Sequence, residues 1–271
     1  MSRLVLQEGV APLEIALWRC VIGTALFAVH VAASRSARWS VAREDLPGIA
    51  AFGVVGIATL YGALSLAVDA GGAALAVVLL YTAPAWVALF AWALLGERMT
   101  ARKLLALAVT LLGIAGVATA GGGAMRPSGA ALGWGLLSGL GYASIYLFGK
   151  RYFARYAPAT VFMYAIPIAG LVLLPLTTFH PKSATAWAAL LVLGVFSTYG
   201  AFLAYSAGLA RLEATRAAVV ATAEPVIGAA LAFVFWGERF APLGYAAAGL
   251  VLFGVLLMAS APDKQPQPAS P

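Results

Sequence analysis

One pattern occurs twice in this sequence, as YTAPAWVALFAWALLGERMTARKLLALAVTLLG at 81–113 and as TAEPVIGAALAFVFWGERFAPLGYAAAGLVLFG at 222–254. At a constant offset of 141 residues the copies share a proline, a Gly-Glu-Arg triplet and a late glycine, which are Pro84 and Pro225, Gly96-Glu97-Arg98 and Gly237-Glu238-Arg239, and Gly113 and Gly254. Several matches at one offset predict an internal repeat, so we expect the chain to consist of two homologous halves.

The repeat extends upstream, where Ala11-Pro12 matches Ala157-Pro158 after a five-residue shift in loop length. We predict halves at 1–122 and 123–260, followed by a Pro-rich, disordered tail at 261–271. The first half holds four apolar segments and the second holds five. We therefore expect a further helix upstream of Met1, and a natural nine-helix protein is the alternative.

The composition places the chain in a membrane. Hydrophobic residues make up 63% of the 271 residues and charged residues only 10%, with a mean hydropathy of +0.94. A soluble domain has about a quarter of its residues charged, which excludes a soluble enzyme, a disordered protein and a nucleic-acid-binding domain. A β-barrel is disfavoured because its strands alternate apolar and polar residues, whereas these apolar runs are continuous.

Nine apolar segments can be drawn, each long enough to cross the roughly 30 Å hydrocarbon core as a helix. They are 11–34, 46–68, 72–95, 103–120, 129–149, 158–177, 185–208, 214–236 and 242–260. The predicted fold is an all-α polytopic membrane protein. Five helices per half is an odd number, so two homologous five-helix halves would have inverted orientations in the membrane.

The basic residues indicate the orientation. The loops 35–45, 96–103 and 150–157 lie on one face of the membrane, here called side one, and the opposite face is side two. Side one, which also includes the C-terminus, carries twelve Lys and Arg residues and side two carries four, while Arg19 lies inside an apolar segment. The positive-inside rule places side one in the cytoplasm, and we expect the chain in the inner membrane with a cytoplasmic C-terminus.

Pro84 and Pro225 lie near the middle of their segments. A mid-helix proline frees the carbonyl four residues before it and kinks the helix. Freed backbone groups are tolerated where they face protein or a water-filled cavity. A static packing kink is one interpretation, and a paired hinge or cavity wall is the one we favour because the repeat relates the two prolines.

Two charges lie deep in apolar segments. Glu224 is about 16 Å into its segment, where a charge costs about 2.5–3.5 kcal/mol on insertion scales. It is expected to contact solute or a proton, or to remain neutral and bond a freed carbonyl. Arg19 is expected to extend to the interface or to bind a solute carboxylate. Glu14 is a poor partner for Arg19 and is expected at the interface.

Polar and aromatic side chains form a candidate cavity lining. Ser138, Tyr142 and Tyr146 follow Trp134 at intervals of four and share one helical stripe. With other midspan residues they are candidates for contact with an amphipathic or aromatic solute, and these are Tyr61, Tyr81, Thr82, Trp86, Tyr199 and Tyr205. Plain packing is the alternative for each residue alone.

No catalytic arrangement or cofactor motif is apparent. The two histidines, His30 and His180, are far apart in sequence, and Cys20 is the single cysteine. Glu97 and Glu238 are predicted to form salt bridges at helix ends. The glycines are expected to permit close helix packing, either within the chain or in a weak homodimer. We therefore predict no enzyme, no metal and no cofactor.

These residues resemble the drug/metabolite transporter superfamily, EamA type. The resemblance rests on the paired Pro-x11-Gly-Glu-Arg blocks, the Glu224-Pro225 pair, Arg19 and the terminal helices around Gly113 and Gly254, and it covers about residues 3–260. It implies a ten-helix inverted repeat with both ends cytoplasmic, a central cavity, and export or exchange of small metabolites, often amino acids.

The favoured function is that of a secondary transporter for a small solute within the lipid bilayer, working by alternating access around a site near Pro84, Pro225 and Glu224. A passive channel is the first alternative, and an intramembrane lipid-modifying enzyme is the second. Neither ATP hydrolysis nor nucleic-acid binding is expected.

The orientation predicts a labelling result. Cysteines introduced at Ser36 and Ser183 are expected to react with an impermeant thiol reagent from opposite sides of the membrane, because the basic loops hold side one in the cytoplasm. Labelling of both positions from the same side of intact cells would contradict the predicted topology.

Overall fold

The computed structural model describes residues 9–34, 37–120, 125–227 and 242–260, and within these ranges every element is helical. The helices are α1 Pro12–Ala33, α2 Leu46–Gly71, α3 Ala73–Leu95, α4 Ala101–Ala120, α5 Gly129–Tyr152, α6 Pro158–Leu176, α7 Ala184–Leu209, α8 Ala214–Ala221 and α9 Pro242–Ala259. All of them except α8 are long and apolar enough to cross a membrane. The predicted all-α membrane fold is confirmed, while much of the predicted segment 214–236 lies outside the described residues.

Two transmembrane helices contain a π-helical stretch at matching places. In α2 this stretch is Phe52–Ala58, and in α7 it is Val195–Gly200. At the offset of 141, residues 52–58 correspond to 193–199, which overlap the stretch in α7. The two stretches are therefore copies of one feature. Because π-helical stretches inside α-helices are rare and concentrate at functional sites, their duplication identifies a shared structural element.

Both repeat prolines lie just after a helix break. Helix α3 consists of Ala73–Leu80 and Ala83–Leu95, separated by Tyr81 and Thr82. Helix α8 ends at Ala221, and helical residues resume at 224–227. The expected kink is therefore a full interruption, because each proline occupies the first turn of the helix that follows, where its missing N–H costs nothing.

Helices α4 and α9, the last helix of each half, pack through glycines in a pseudo-two-fold arrangement. A Cβ at Gly113 would lie 2.9 Å from the Ala247 carbonyl oxygen, and a Cβ at Gly254 would lie 3.0 Å from the Ala106 carbonyl oxygen. At the offset of 141, Gly113 corresponds to Gly254 and Ala106 corresponds to Ala247, so the repeat relates the two contacts. The interface therefore requires a residue without a side chain at both positions.

A second pair of contacts repeats this symmetry between other helices. Gly53 in α2 packs on Ile168 in α6, and Gly194 in α7 packs on Ile22 in α1. Gly135 and the nearby Gly139 of α5 pack on α3 in the same way. The small-residue faces named here are used within the chain, which is the internal packing that the sequence suggested.

Three described glycines, Gly9, Gly72 and Gly96, adopt a backbone conformation that other residues avoid, and two of them bound α3. Gly72 joins α2 to α3 with φ +83°, and Gly96 ends α3 with φ +70°. Only glycine reaches these angles without steric cost, so the tight α2–α3 connection and the end of α3 depend on them.

On side one, the α5–α6 connection is attached to the start of α2. Asp45, only 4% exposed, accepts hydrogen bonds from Arg155 Nη1 at 2.7 Å and from the Tyr156 hydroxyl at 2.6 Å. The hydrogen bond to Asp45 raises the pKa of the Tyr156 hydroxyl, because a phenolate there would face a carboxylate.

The glycine interface predicts a stability difference. Gly113→Ala and Gly254→Ala are each expected to destabilise the protein by about 1–3 kcal/mol, because the new methyl group overlaps backbone atoms of the facing helix. Thermal unfolding in detergent measures this effect. Gly249→Ala in α9, where a Cβ has no neighbour within 4 Å, is the matched control. Equal melting temperatures for all three variants would disprove the proposed close packing.

Candidate functional site

A cavity of about 510 Å³ lies among α1, α2, α3, α5, α7 and α8. Polar and aromatic side chains line part of it, and these are Arg19, Tyr61, Tyr81, Tyr142, Tyr146, Ser197, Phe202, Tyr205 and Glu224. Apolar residues complete the wall, among them Leu60, Leu64, Leu80, Ile145, Ala201, Leu209 and Val220. Both halves therefore contribute to one enclosure with a mixed polar and aromatic surface.

Arg19 is held inside this cavity by α7. Its Nε donates to the Thr198 hydroxyl at 3.0 Å, and its Nη2 donates to the Ser197 carbonyl oxygen at 2.7 Å. Its guanidinium carbon also lies 4.8 Å from the centre of the Tyr61 ring, a cation–π geometry. The interfacial position considered for Arg19 is therefore wrong, since its partners lie in the middle of α7.

Glu224 follows the helix break after Ala221. Its side chain is exposed and lines the cavity, and its Oε2 accepts a hydrogen bond from the Tyr81 hydroxyl at 3.3 Å. Tyr81 lies at the matching break in α3. The two breaks therefore bring an acid and a phenol from different halves together.

An aromatic wall separates the cavity from the protein core. The rings of Tyr142 and Tyr146 are 5.6 Å apart, and those of Tyr146 and Tyr205 meet edge to face at 5.0 Å. Phe202 stacks on Phe162 at 4.5 Å. The Tyr205 hydroxyl donates to the Ile145 carbonyl oxygen at 2.9 Å, which fixes that ring across the α5–α7 contact.

The cavity charges are not symmetric. The residue that corresponds to Arg19 in the second half is Ala165, and the residue that corresponds to Glu224 in the first half is Ala83. Each half therefore supplies one charge of opposite sign to a cavity whose backbone is repeated.

Six predicted residues lie outside the cavity lining. Pro84 borders a small gap beside Tyr81, and Pro225 follows Glu224 without lining the cavity. The Thr82 hydroxyl donates to the Leu79 carbonyl oxygen at 2.6 Å, which closes the break in α3. These three residues shape the wall without presenting a side chain to the main cavity.

The other three predicted residues point elsewhere. Ser138 is fully buried and donates to the Gly135 carbonyl oxygen, while Trp86 stacks near Phe90. The Tyr199 hydroxyl lies 2.7 Å from His30 Nδ1 and borders a separate recess. The four-residue spacing identified a helical stripe, but only Tyr142 and Tyr146 of that stripe line the cavity.

The sequence analysis did not predict the apolar lining residues, and among the polar and aromatic ones it missed two. Phe202 is the repeat counterpart of Tyr61 at the offset of 141, so the repeat could have identified it. Ser197 contributes its backbone carbonyl to Arg19, and a backbone role in a π-helical stretch has no residue signature.

On side one, polar contacts join the two halves. The Glu97 carboxylate accepts hydrogen bonds from the backbone amides of Ala214 at 2.6 Å and Thr215 at 3.3 Å. Lys103 and Glu213 form an ion pair at 2.6 Å. Glu97 lies just after α3 and caps the first turn of α8. The predicted helix-end salt bridge is not found among the ion pairs of the described residues. Glu238 lies outside the described residues.

On side two, a buried acid ties α1 to the α6–α7 connection. Glu14 is 0% exposed and binds Lys182 and the His180 Nδ1, the latter at 3.0 Å. The Lys182 ammonium lies 5.5 Å from the ring centre of Trp18 and 5.3 Å from that of Trp187. Glu14 therefore lies at the side-two end of α1, as expected from its place near the helix end, and it is buried there because a lysine distant in sequence pairs with it.

The site is suited to binding. In the described ranges, no three His, Cys, Asp or Glu side chains lie close enough to hold a metal ion. What the cavity offers is a cation, an anion and apolar aromatic surface in one enclosure, a combination suited to an amphipathic solute that carries both charges.

Sequence relatives are transporters. The chain is 27% identical over 259 residues to an uncharacterized transporter of Archaeoglobus fulgidus. The alignment covers 92% of this chain and 88% of the relative. It is 31% identical over 224 residues to a probable terminal-alkyne amino-acid exporter of Streptantibioticus cattleyicolor, covering 79% of this chain and 73% of the relative.

The fold also has a solved counterpart. One crystal structure of a protein superposes with a TM-score of 0.80 at 20% sequence identity, covering 95% of this chain and 91% of that one. The sequence matches the EamA-like transporter family twice, over residues 1–119 and 129–260. This protein is an integral membrane protein that belongs to the EamA-like transporter family.

Proposed function

We propose that the protein is a secondary transporter that moves an amino acid or a similar amphipathic or aromatic solute, by export or exchange, through alternating access around the central cavity. The observation that carries this proposal is that Arg19 and Glu224 line one cavity together with a wall of tyrosines. The exporter from Streptantibioticus cattleyicolor, whose described solute is an amino acid, supports the same class.

The cavity chemistry matches the three parts of such a solute. The guanidinium of Arg19 binds a carboxylate through parallel N–H groups. The carboxylate of Glu224 accepts hydrogen bonds from an ammonium group. The half-buried rings of Tyr142 and Tyr205 offer edges and faces to an apolar or aromatic side chain, and the buried Tyr146 packs behind them.

The cost of these charges supports a role in transport. A charged side chain in the middle of a membrane helix costs about 2.5–3.5 kcal/mol on insertion scales. Packing alone would favour alanine, which is present at both repeat-related positions, Ala165 and Ala83. The charges are therefore accounted for by an occupant that pairs with them.

The contacts between helices suggest how access alternates. The Glu97 cap on α8 and the Lys103–Glu213 pair close side one, and the Glu14–Lys182 pair lies on side two. In our proposal the side-one contacts open when the solute leaves toward that side. The breaks at 81–82 and 222–223 provide the flexible points of this motion.

We further propose that the chain divides into halves at 1–122 and 123–260. The protein lies in the inner membrane, and side one and the tail 261–271 face the cytoplasm. The cycle needs no cofactor and no covalent chemistry. It can be carried out by a monomer or by each subunit of a weak homodimer, since one chain forms the cavity.

The test is counterflow of radiolabelled L-phenylalanine in proteoliposomes. A transporter preloaded with unlabelled L-phenylalanine accumulates label transiently, whereas a channel, the alternative function, only equilibrates it. The other common amino acids are tested in turn, each as both the radiolabelled and the preloaded solute. Failure of every one to drive counterflow would contradict the amino-acid assignment, and equilibration without an overshoot would favour the channel.

Glu224 variants test the role of its charge. Glu224→Gln and Glu224→Ala are both expected to raise the KM for L-phenylalanine at least about tenfold, because each removes a charged hydrogen bond to the ammonium group. Glu44→Gln, an exposed acid on side one, is the control and is expected to transport normally. Normal transport by Glu224→Gln, with an unstable Glu224→Ala, would instead make Glu224 a neutral structural donor.

A further inference from the structure

The π-helical stretch of α7 leaves one backbone carbonyl without its α-helical donor. In an α-helix the amide of Ala201 would bond the carbonyl of Ser197, four residues earlier. Here the Ala201 amide bonds the carbonyls of Phe196 and Thr198. The Ser197 carbonyl accepts from Arg19 Nη2 at 2.7 Å, so the change of helical register creates an acceptor that faces the cavity.

Thr198 supplies the second acceptor from the same stretch. It is 1% exposed, and its hydroxyl oxygen accepts from Arg19 Nε at 3.0 Å. Its methyl group packs closely over Gly23, where a Cβ would come within 3.1 Å. Thr198 therefore occupies a narrow gap between α1 and α7 with its hydroxyl on the guanidinium.

The two bonds use a particular edge of Arg19. Nε and Nη2 together form one side of the planar guanidinium, and that side faces Ser197 and Thr198. The end formed by the two terminal nitrogens presents two parallel N–H groups, the geometry that a carboxylate binds in a bidentate manner. Holding the first edge aims the second edge at the cavity.

The repeat shows that the three residues form a unit. The counterparts of Ser197 and Thr198 in the π-helical stretch of α2 are Gly56 and Ile57, and the counterpart of Arg19 is Ala165. The repeat-related pair of helices, α6 with α2, therefore lacks both the arginine and the threonine hydroxyl. The π-helical stretch is common to both halves, but only the stretch in α7 has a hydroxyl on it and an arginine from the other half against it.

We propose that Thr198 is a positioning residue that, with the Ser197 carbonyl, orients Arg19 and thereby sets the preference of the cavity for solutes that carry a carboxylate. This proposal deepens the proposed function and rests on it. Thr198 does not touch the solute in this account and acts only through the guanidinium.

The transport test compares two probes that differ in one group. L-phenylalanine carries a carboxylate, and phenethylamine is the same molecule without it. Thr198→Val keeps the methyl group and removes the hydroxyl. It is expected to raise the KM for L-phenylalanine about tenfold, the effect of one hydrogen bond to a charged group, and to leave kcat and the uptake of phenethylamine unchanged. Thr198→Ser is expected to restore the normal KM.

A second measurement does not depend on transport. Hydroxyphenylglyoxal modifies free guanidinium groups, and mass spectrometry of the peptide that contains Arg19 gives the rate of modification. The rate is expected to increase about tenfold in Thr198→Val and to remain normal in Thr198→Ser. Thr24→Val is the matched control, because the Thr24 hydroxyl bonds the Cys20 carbonyl on the same helix without touching Arg19.

The two measurements separate the possible failures. Unchanged Arg19 modification in Thr198→Val would overturn the positioning role, whatever the transport result. Increased modification with an equal loss for both probes would also overturn it, because general disruption does not distinguish a carboxylate. A third outcome is that Arg19 modification increases in Thr198→Val but the wild-type protein transports neither probe. That outcome would overturn the proposed function and with it the solute preference.

Discussion

Backbone groups inside a bilayer must find hydrogen-bond partners within the protein, and this constraint determines where the helices can be irregular. Unpaired N–H and C=O groups cost several kcal/mol in hydrocarbon, so irregular backbone is tolerated only where it faces protein or a cavity. The break in α3 is at Tyr81, and the π-helical stretch of α7 includes Ser197. Both residues line the same cavity. The irregular points are therefore places at which the helices border the cavity.

The repeat duplicates the backbone but not the chemistry. Glycine contacts, π-helical stretches and helix breaks recur at an offset of 141 residues. The charged groups do not recur, since Arg19 corresponds to an alanine and Glu224 corresponds to another. A symmetric frame allows two related arrangements of similar energy, which alternating access requires. An asymmetric lining allows that frame to bind a solute with two different ends.

Much of the fold follows from the sequence because membrane helices are long apolar runs and the repeat has a constant offset. Apart from α8, the described helices begin and end within a few residues of the predicted segments, as α1 and α9 illustrate. The site was harder to predict. The depth of Arg19 and Glu224 in their segments indicated a cavity, but a stripe spaced by four residues does not reveal which part of it faces inward, as Ser138 shows. The pairing of Glu14 with Lys182 depends on a loop more than 160 residues away.

The central claim is that one solute occupies the cavity between Arg19 and Glu224. The most direct measurement is a crystal structure of the protein with p-bromo-L-phenylalanine, in which anomalous scattering locates the bromine. The account predicts one bromine peak against the rings of Tyr142 and Tyr205, with the carboxylate on Arg19. The principal rival is the apolar recess of about 430 Å³ between α1 and α6, which Leu17, Cys20 and Phe179 help to line. A bromine peak in that recess, with none in the central cavity, would contradict the account.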